Sequence, residues 1–297
     1  ADDLTKDDTD LIHAALGHVS MTRVQLAKND GGYGLDLSRY RHDPNTCEAC
    51  LLNKRKLSVA KVSQSGRSYT HFGECVCSDI CGPFPKSPQG FTYACCFYDK
   101  ATKFVAVAFM HDKTAHAVKL CFEAFLNEHK HLMRNQRVET WVTDDGMNFH
   151  AGEIDQLCAE LGTRRAFAVP HVPEKHGAAE RVWGLLNGPV RRMLAHAGND
   201  TVKEGLWPYL MLHACLVHNS LPSTALSPPQ PPMERATGKK PNLSVFRNKV
   251  PLCDCYATLV NPFDEKKKSS KLDPPNVKAV YLTFDARRQA DFVYIPA

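Results

Sequence analysis

The chain has 297 residues, of which 43% are hydrophobic and 23% charged, and its formal net charge is +5. This length and composition indicate a globular protein with one large domain or two domains. No apolar run approaches the roughly 18 residues that a membrane helix needs, and the acidic start ADDLTKDDTD is unlike a signal peptide. We therefore expect no membrane partner, and the mild basic excess permits a polyanionic partner without requiring one.

Cysteine usage indicates the redox environment. The chain has twelve cysteines. Several of them lie inside strand-like apolar runs, where Cys behaves as a small hydrophobic residue: Cys75, Cys77, Cys95 and Cys96. This distribution is unlike the disulfide framework of a small secreted protein. The sequence predicts a reducing compartment.

The first predicted elements are helical. Residues 8–29, DTDLIHAALGHVSMTRVQLAKN, begin with an Asp or Thr cap and contain two amphipathic stretches. Residues 54–70, KRKLSVAKVSQSGRSYT, are basic and serine-rich without a sustained period, which is typical of a linker. These patterns predict a small helical N-terminal domain, residues 1–53, followed by a linker.

The next region alternates strand and helix patterns. Three strand candidates come first and predict an antiparallel meander: FGECVCSDI, FTYACCFYD and KFVAVAFM. They are followed by helix, strand, helix and strand candidates: TAHAVKLCFEAFLNEH, VETWVTDD, EIDQLCAELG and RRAFAV. A long helical stretch then starts near His176. This order predicts an α/β core with a mixed sheet in residues 71–220.

The last part of the chain changes character twice. Residues 221–248 are rich in proline, which predicts a connecting strap on the surface. Residues 249–297 alternate apolar and polar side chains, which predicts a small β-rich C-terminal domain with the form of a barrel.

Two histidines and two cysteines make the first candidate site. His13 and His18 lie five residues apart, so one helix turn and the helix end can present both imidazoles to one point. Cys47 and Cys50 form a C-x2-C hook further along the chain. This donor set suits a closed tetrahedral zinc site, and such a small domain needs a staple. His42 lies close to the hook and is a rival ligand; two surface histidines with an unrelated cysteine pair are the alternative interpretation.

Three acidic residues make the second candidate site. Asp79 ends the first strand candidate, Asp144 ends the fourth, and Glu180 lies near the start of the long helix. Carboxylates from neighbouring central strands and a facing helix can converge on one point. Hard oxygen ligands of this kind favour Mg²⁺ or Mn²⁺. Each acid alone also has an ordinary structural explanation, and Glu180 fits a helix surface.

Taken in order, these motifs resemble the integrase of a long-terminal-repeat retrotransposon of the Ty1/copia (Pseudoviridae) group, and the resemblance covers nearly all of the chain. The H-x4-H and C-x2-C pattern, continuing as CEACLLNKRK, is similar to that group's pre-integrase zinc domain. The motifs SDICGPF, TDDG and HVPEKHGAAER are similar to the three blocks of the D,D-35-E integrase core. Two later stretches resemble the segment that follows the core: LPSTALSPPQPPMERATGKKPNLSVFR and KSSKLDPPNVKAVYLTFD.

The resemblance implies a fold: an α/β, ribonuclease H-like mixed-sheet catalytic core, flanked by a small helical zinc-binding domain and a small β-barrel C-terminal domain. It implies that Asp79, Asp144 and Glu180 are the catalytic acids and hold two Mg²⁺ or Mn²⁺ ions. It also implies that one structural Zn²⁺ is bound by the two histidines and two cysteines: His13, His18, Cys47 and Cys50.

The resemblance further implies an enzyme, a divalent-metal-dependent polynucleotidyl transferase. Such an enzyme joins the 3′ ends of element cDNA to target DNA, with 3′-end processing as an associated reaction. It supplies no covalent nucleophile, so positioning and charge neutralisation carry the rate. The expected partners are cDNA ends, target DNA and further copies of the chain, as a tetramer or larger. The expected location is the nucleus, after passage through cytoplasmic virus-like particles.

The two adjacent aspartates differ in their expected roles. Successive side chains of a strand point to opposite faces, so Asp144 and Asp145 cannot both reach one metal ion. The 35 positions 145–179 separate Asp144 from Glu180, as in the family motif. Asp145 occupies a position where relatives have Asn, and both residues favour turns. We predict that Asp144 is the ligand and that Asp145 shapes the turn.

Basic residues near both candidate sites are the expected phosphate contacts. Four lie in the linker and two on the last helix of the predicted core: Lys54, Arg55, Lys56, Lys61, Arg191 and Arg192. A solvated linker and helix surface is the alternative interpretation for any one of them.

The chain departs from the family pattern at several positions. Met147 and Asn148 stand where relatives have glycine and glutamate, and Trp183 and Gly184 replace a polar and basic helix face. Pro189 falls inside the same predicted helix, where proline should cause a kink at a cost of about 3 kcal/mol. These changes leave a second class open, a decayed or domesticated nucleic-acid-binding derivative with little catalysis.

Two further points concern a third function class and the origin of the chain. A ribonuclease H-like nuclease acting alone would not explain the zinc domain. Nothing in the chain resembles a polymerase, so we expect a processed product, an engineered fragment or a stand-alone gene.

Overall fold

The structure of the protein is a computed structural model, which describes residues 6–38, 40–43, 45–53, 68–143, 152–167, 173–198, 200–258 and 276–296. The side chains of residues 6, 7 and 173–181 lie outside this description. Within the described ranges, no helix combines the length and the apolar character that crossing a membrane requires.

A five-stranded mixed sheet forms the centre of the molecule. Its strands are β1 (Cys75–Cys81), β2 (Tyr93–Asp99), β3 (Val105–Met110), β4 (Thr140–Thr143) and β5 (Arg164–Phe167). They lie in the order β3-β2-β1-β4-β5. The first three strands pair antiparallel, whereas β4 and β5 join parallel to β1. The meander and the mixed sheet predicted from the sequence are confirmed, and this topology is that of a ribonuclease H-like core.

Helices cover both faces of this sheet because the strands are apolar on both sides. On β2, Cys95 and Phe97 pack with α4 (Ala115–His129) and α5 (Gly152–Leu161). The alternating residues Ala94 and Cys96 point to the other face. They pack there against α6 (Pro173–His196) and α8 (Trp207–Ser220). The two clusters form the core, and a residue's position along β1 or β2 decides which helices it meets.

The helical stretch predicted from His176 begins slightly earlier and is divided. After α6 come α7 (Thr201–Gly205) and the strongly buried α8. Pro189 lies inside α6, and the helix continues through it to His196. The helix therefore extends well beyond the position at which a kink was predicted.

The N-terminal helices are α1 (Lys6–Ala15), α2 (Met21–Asn29) and α3 (Glu48–Leu52), with a 3-10 turn at Gly31–Gly34. Their apolar faces share one cluster with the end of α8 and the strap that follows the core. Arg23 of α2 reinforces this contact by donating hydrogen bonds to the carbonyl oxygens of His218, Leu221 and Pro222. The described N-terminal residues therefore pack directly on the core.

Part of the proline-rich strap is more deeply buried than its composition suggests. It contains α9 (Pro232–Thr237) and a 3-10 turn at Leu243–Phe246. Leu243 and Phe246 are fully buried in the cluster shared with the N-terminal helices. The expectation of a surface strap is wrong for these two side chains, because they supply apolar area that the N-terminal helices need to cover.

A second sheet forms the C-terminal part. Strands β6 (Asp254–Thr258), β7 (Asn276–Asp285) and β8 (Ala290–Tyr294) pair antiparallel in the order β6-β7-β8. Leu282 of β7 is buried in the cluster formed with α6 and α8. A small β-rich C-terminal unit is confirmed. Residues 259–275 lie outside the described part of the chain, so closure into a barrel stays a prediction.

Candidate metal centres

The histidine–cysteine centre is assembled by two short pieces of backbone. His13 lies in the last turn of α1, and the chain then leaves the helix through Gly17 and His18, both with positive φ, 61° and 57°. A non-glycine residue in this conformation is uncommon and occurs at functional sites. Cys47 caps the N-terminus of α3, and Cys50 lies in its first turn. The C-x2-C hook therefore faces the end of α1.

The four side chains converge as the sequence predicts. Their ligand atoms all lie within 4.8 Å of one another. His13 Nε2 is 3.2 Å from Cys50 Sγ, and His18 Nδ1 is 3.4 Å from Cys47 Sγ and 3.9 Å from Cys50 Sγ. Zn–S bonds of about 2.3 Å and Zn–N bonds of about 2.0–2.1 Å in a tetrahedron keep sulfur and nitrogen roughly 3.5 Å apart. The donor set and its spacing fit one zinc ion.

Burial lowers the pKa values of the two imidazoles. Burial, followed by the charge of His18, lowers the pKa of His13 to about 2. Burial, followed by the charge of His196, lowers the pKa of His18 to about 3. Both rings are thus neutral at physiological pH, the form that binds metal. Burial and the neighbouring Cys47 raise the pKa of the Cys50 thiol to about 12, so a bound cation has to displace its proton.

His42 is the rival ligand considered above, and the structure places it beside the centre. Its ring stacks on His13 at 3.7 Å, and its Nδ1 donates a 2.9 Å hydrogen bond to the Asp10 carboxylate. It does not belong to the group of converging donors among the described residues. His42 and Asp10 line a cavity of about 200 Å³ together with three of the donors, His13, His18 and Cys47.

Two further residues support the centre from outside. The hydroxyl of Tyr40 lies 3.4 Å from Nδ1 of His13, the ring nitrogen that faces away from Cys50. Such a partner fixes the orientation of a metal-binding imidazole. Arg192 of α6 is half-buried, and its charge interacts with Cys50 and Cys47. Arg192 therefore lies within electrostatic range of the cysteines, and the phosphate contact predicted for it stays a prediction.

Of the three predicted acidic ligands, Asp79 is the one whose side chain the structure describes. This residue lies inside β1, two positions before its end, and pairs with Cys96 of β2. Directly paired residues share a face of the sheet, so Asp79 faces α6 together with Cys96. Its Oδ1 accepts a 2.8 Å hydrogen bond from the backbone N–H of Ile80. Asp79 is half-buried between the central strand and the helix.

Trp183 of α6 makes the contact that defines this centre. Its indole Nε1 donates a 3.1 Å hydrogen bond to Oδ2 of Asp79, and the ring is 8% exposed. One turn further along α6, Asn187 Nδ2 lies 3.8 Å from the sulfur of Cys81 on β1. This face of α6 is thereby held against the C-terminal half of β1.

The other two predicted acids are only partly located. Glu180 lies on α6 three residues before Trp183, so the two positions share a helix face; its side chain is outside the described residues. Asp144 and Asp145 lie outside them entirely. The described part of β4 ends at Thr143, and Val142 is paired with Cys77, two residues before Asp79.

The structure describes only some of the predicted DNA-contact residues. Lys54, Arg55, Lys56 and Lys61 lie outside the described residues, and their role stays a prediction. Arg191 is exposed on α6. Arg191 is thus the predicted contact residue whose described position suits a phosphate.

Sequence patterns did not assign roles to Trp183 or Tyr40. A signal for Trp183 was present, because it lies three residues after Glu180 in a helix. No comparable signal marks Tyr40, which reaches His13 from a position 27 residues away.

Fold and donor sets together define a ribonuclease H-like protein that carries an N-terminal His2Cys2 centre. No family model matches the chain. The chain is similar to the retrovirus-related Pol polyprotein from transposon 412 of Drosophila melanogaster, with 24% identity over 213 residues, or 69% of this chain. The match covers 16% of that polyprotein. The predicted resemblance to a retrotransposon integrase is confirmed, whereas the copia group stays a prediction.

Solved structures of low similarity belong to retroviral integrases. The catalytic core domain of BIV integrase gives a TM-score of 0.41 at 20% identity, covering 56% of this chain and 95% of that one. The HTLV-2 integrase catalytic core domain in complex with magnesium gives a TM-score of 0.42 at 17% identity. The match covers 57% of this chain and 99% of that one. A simian T-cell lymphotropic virus intasome in complex with PP2A regulatory subunit B56 gamma gives a TM-score of 0.47 at 14% identity. The match covers 77% of this chain and 78% of that one.

Proposed function

We propose that the chain is a retrotransposon integrase, a divalent-metal-dependent polynucleotidyl transferase that joins the 3′ ends of element cDNA to target DNA. The observation that carries this proposal is the position of Asp79. A half-buried carboxylate lies on the central strand of a ribonuclease H-like sheet and faces the helix that carries Glu180. This position of Asp79 supports the assignment of the D,D-35-E motif to Asp79, Asp144 and Glu180.

In this proposal Asp79, Asp144 and Glu180 hold Mg²⁺ or Mn²⁺. The hard carboxylate oxygen donors suit these cations, and each Asp79 oxygen accepts a hydrogen bond that helps to orient the carboxylate. The bound cations supply charge neutralisation at the phosphate and activate the attacking and leaving oxygens. The protein itself positions the DNA end and the target phosphodiester, and it offers no covalent nucleophile.

The zinc centre has a structural role in this proposal. A closed set of four protein donors leaves no position for substrate. The centre joins α1 to α3, and α3 lies against α6, the helix that carries Glu180 and Trp183. Zinc thus shapes the N-terminal module and the surface it offers to α6.

DNA ends, target DNA and further copies of the chain are the proposed partners. The net charge of +5 and the exposed Arg191 support contacts with phosphate. A homo-oligomer, a tetramer or larger, is proposed as the active form, because two cDNA ends have to be joined together. Work in the nucleus, after passage through virus-like particles, belongs to the same proposal.

A derivative that binds nucleic acid without catalysis is the second candidate function. Trp183 favours it, because a buried indole occupies a helix position that relatives use for polar and basic residues. The same indole nevertheless contacts Asp79 in a manner compatible with a working metal site.

A strand-transfer assay with Mn²⁺ and a matched terminal-repeat end tests the proposal. Wild type should join the end to target DNA, and Asp79→Asn should lose at least about 100-fold of this activity while it retains zinc and DNA binding. DNA binding without any joining by wild type would support the second candidate.

A further inference from the structure

We infer that Trp183 is a positioning residue, whose indole N–H holds the Asp79 carboxylate in the orientation that binds the divalent cation. This inference rests on the proposed function, because it concerns the same metal site. It assigns a role to a residue that departs from the family pattern.

The contact is specific in its chemistry. The donor is the indole Nε1, 3.1 Å from Oδ2 of Asp79, and indole nitrogen can only donate. A hydrogen bond to a charged acceptor is stronger than one between neutral groups. Because Trp183 is 8% exposed, water cannot readily replace the indole as donor. The bond therefore favours one orientation of the carboxylate.

The two oxygens of Asp79 are then fixed from two sides. Oδ1 accepts from the backbone of Ile80, and Oδ2 accepts from Trp183. These two donors restrict rotation of the carboxylate about its last torsion, so both oxygens keep defined positions. Loss of a group that orients a metal ligand in this way typically lowers metal affinity by about 10- to 100-fold.

The same bond links two elements that carry proposed ligands. Trp183 and Glu180 share a face of α6, and Asp79 lies on β1. The ring of Trp183 is anchored in the apolar cluster between α6 and the sheet, which includes Val182 and Leu186. The indole therefore sets the distance between the helix and the strand as well as the orientation of Asp79.

Two of the three tryptophans of the chain provide a matched comparison. Trp207 belongs to the same apolar cluster, is 2% exposed and donates a 2.7 Å hydrogen bond to the carbonyl oxygen of Pro85. Trp207→Phe therefore removes an indole N–H from the same core without touching Asp79. Trp183→Phe removes the N–H that binds the carboxylate.

The experiment measures Mn²⁺ affinity of the zinc-loaded full chain from the electron paramagnetic resonance signal of free Mn²⁺. Trp183→Phe should raise the Mn²⁺ dissociation constant by about 10- to 100-fold, and Trp207→Phe should leave it unchanged. A second variant carries β-(3-benzothienyl)alanine at position 183, which keeps the bicyclic shape and replaces N–H by sulfur. It should behave like Trp183→Phe, and it decides the question if the phenylalanine variant does not fold.

The Asp79→Asn variant distinguishes a failure of this inference from a failure of the proposed function. If Asp79→Asn loses Mn²⁺ binding while both variants at position 183 bind it as wild type does, the inference is wrong and the proposed metal site stands. If Asp79→Asn binds Mn²⁺ as wild type does, Asp79 holds no cation, and the proposed function fails together with the inference.

Discussion

Arg191 and Arg192 are neighbours in the chain, but α6 turns them to different surroundings. Successive residues of a helix are about 100° apart around its axis. Arg191 is exposed, whereas Arg192 is half-buried, and its charge interacts with Cys50 and Cys47. Burial lowers the pKa of the Arg192 guanidinium, and the interaction with Cys50 opposes this effect. We therefore expect Arg191 to face solvent and Arg192 to act on the proposed zinc centre.

Substitution of each arginine by glutamine should separate these roles. Arg192→Gln should weaken zinc retention by roughly tenfold, as is usual for groups outside the donor set. Arg191→Gln should leave zinc retention unchanged and lower the slope of log DNA affinity against log salt by about 0.9. Competition with a zinc-chelating dye and DNA-binding titrations in a salt series measure the two effects. Equal zinc loss in both variants would contradict the assignment.

The N-terminal module, the described residues of 6–53, and the end of α8 share one apolar cluster. Ala14, Leu16 and Val24 pack in a single cluster with Val217 and Leu221. In addition, three carbonyl oxygens at the end of α8 accept hydrogen bonds from Arg23. Burial lowers the pKa of this arginine to about 10, which leaves it charged at neutral pH. Loss of the module would expose apolar area and uncover this end of α8.

Removal of zinc should therefore unfold more than the donors. Chelation or Cys50→Ser should unfold residues 6–53, since binding energy in such a module is folding energy. It should also lower hydrogen-exchange protection at the end of α8 and at Leu243–Phe246, whereas the strands β1 to β3 stay protected. Hydrogen exchange read by mass spectrometry, before and after chelation, locates both effects. Exposed His116→Gln serves as a control that keeps zinc. Full protection of residues 6–53 without zinc would refute the idea.

At the scale of the whole molecule, two buried histidines hold separate parts together. His213 of α8 donates from Nε2 to the carbonyl oxygen of Ala15, 2.9 Å away, and its Nδ1 lies 3.3 Å from the hydroxyl of Thr283 on β7. His218 donates from Nε2 to the carbonyl oxygen of Lys103 at 3.0 Å. These two side chains connect the N-terminal module, the central sheet and the C-terminal sheet through α8.

Acid should loosen these connections. Burial lowers the pKa of His213 to about 4, and burial together with Arg23 lowers that of His218 to about 3, from 6.5. Below pH 6.5 the unfolded chain binds protons that the folded chain does not, so stability is present above this pH and is lost as the pH falls. The expected loss is about 1.4 kcal/mol per pH unit for each histidine between pH 6 and 4.

Urea unfolding of the zinc-loaded protein at several pH values measures this loss. His213→Gln keeps a hydrogen-bond donor but cannot gain a proton, so its stability should depend less on pH than that of wild type. His116→Gln, at an exposed position, should follow wild type. A slope for His213→Gln equal to that of wild type would show that His213 does not titrate in this range.

Local patterns predicted much of this architecture, and long-range contacts account for the rest. The β1 to β3 meander and the His13, His18, Cys47 and Cys50 set follow from spacing within short stretches. The bond between Trp183 and Asp79 joins residues 104 positions apart, so no local pattern contains it. The position of His42, stacked on His13 and outside the group of converging donors, likewise follows from the tertiary structure.

The burial of Leu243 and Phe246 shows the same limit at the level of an element. Proline-rich composition indicates a connecting segment, but it does not show which of its apolar residues another module will cover. Here the N-terminal helices cover them, and this pairing follows from the tertiary structure alone.

The central claim, a transferase that uses Asp79, Asp144 and Glu180, is tested most directly at the two adjacent aspartates. Strand transfer with Mn²⁺ and a matched terminal-repeat end is measured for wild type, Asp144→Asn and Asp145→Asn. The account predicts joining by wild type, most of that activity in Asp145→Asn, and none in Asp144→Asn, whose zinc content and DNA binding stay intact. Equal damage from the two substitutions, or loss of joining in Asp145→Asn alone, would contradict it.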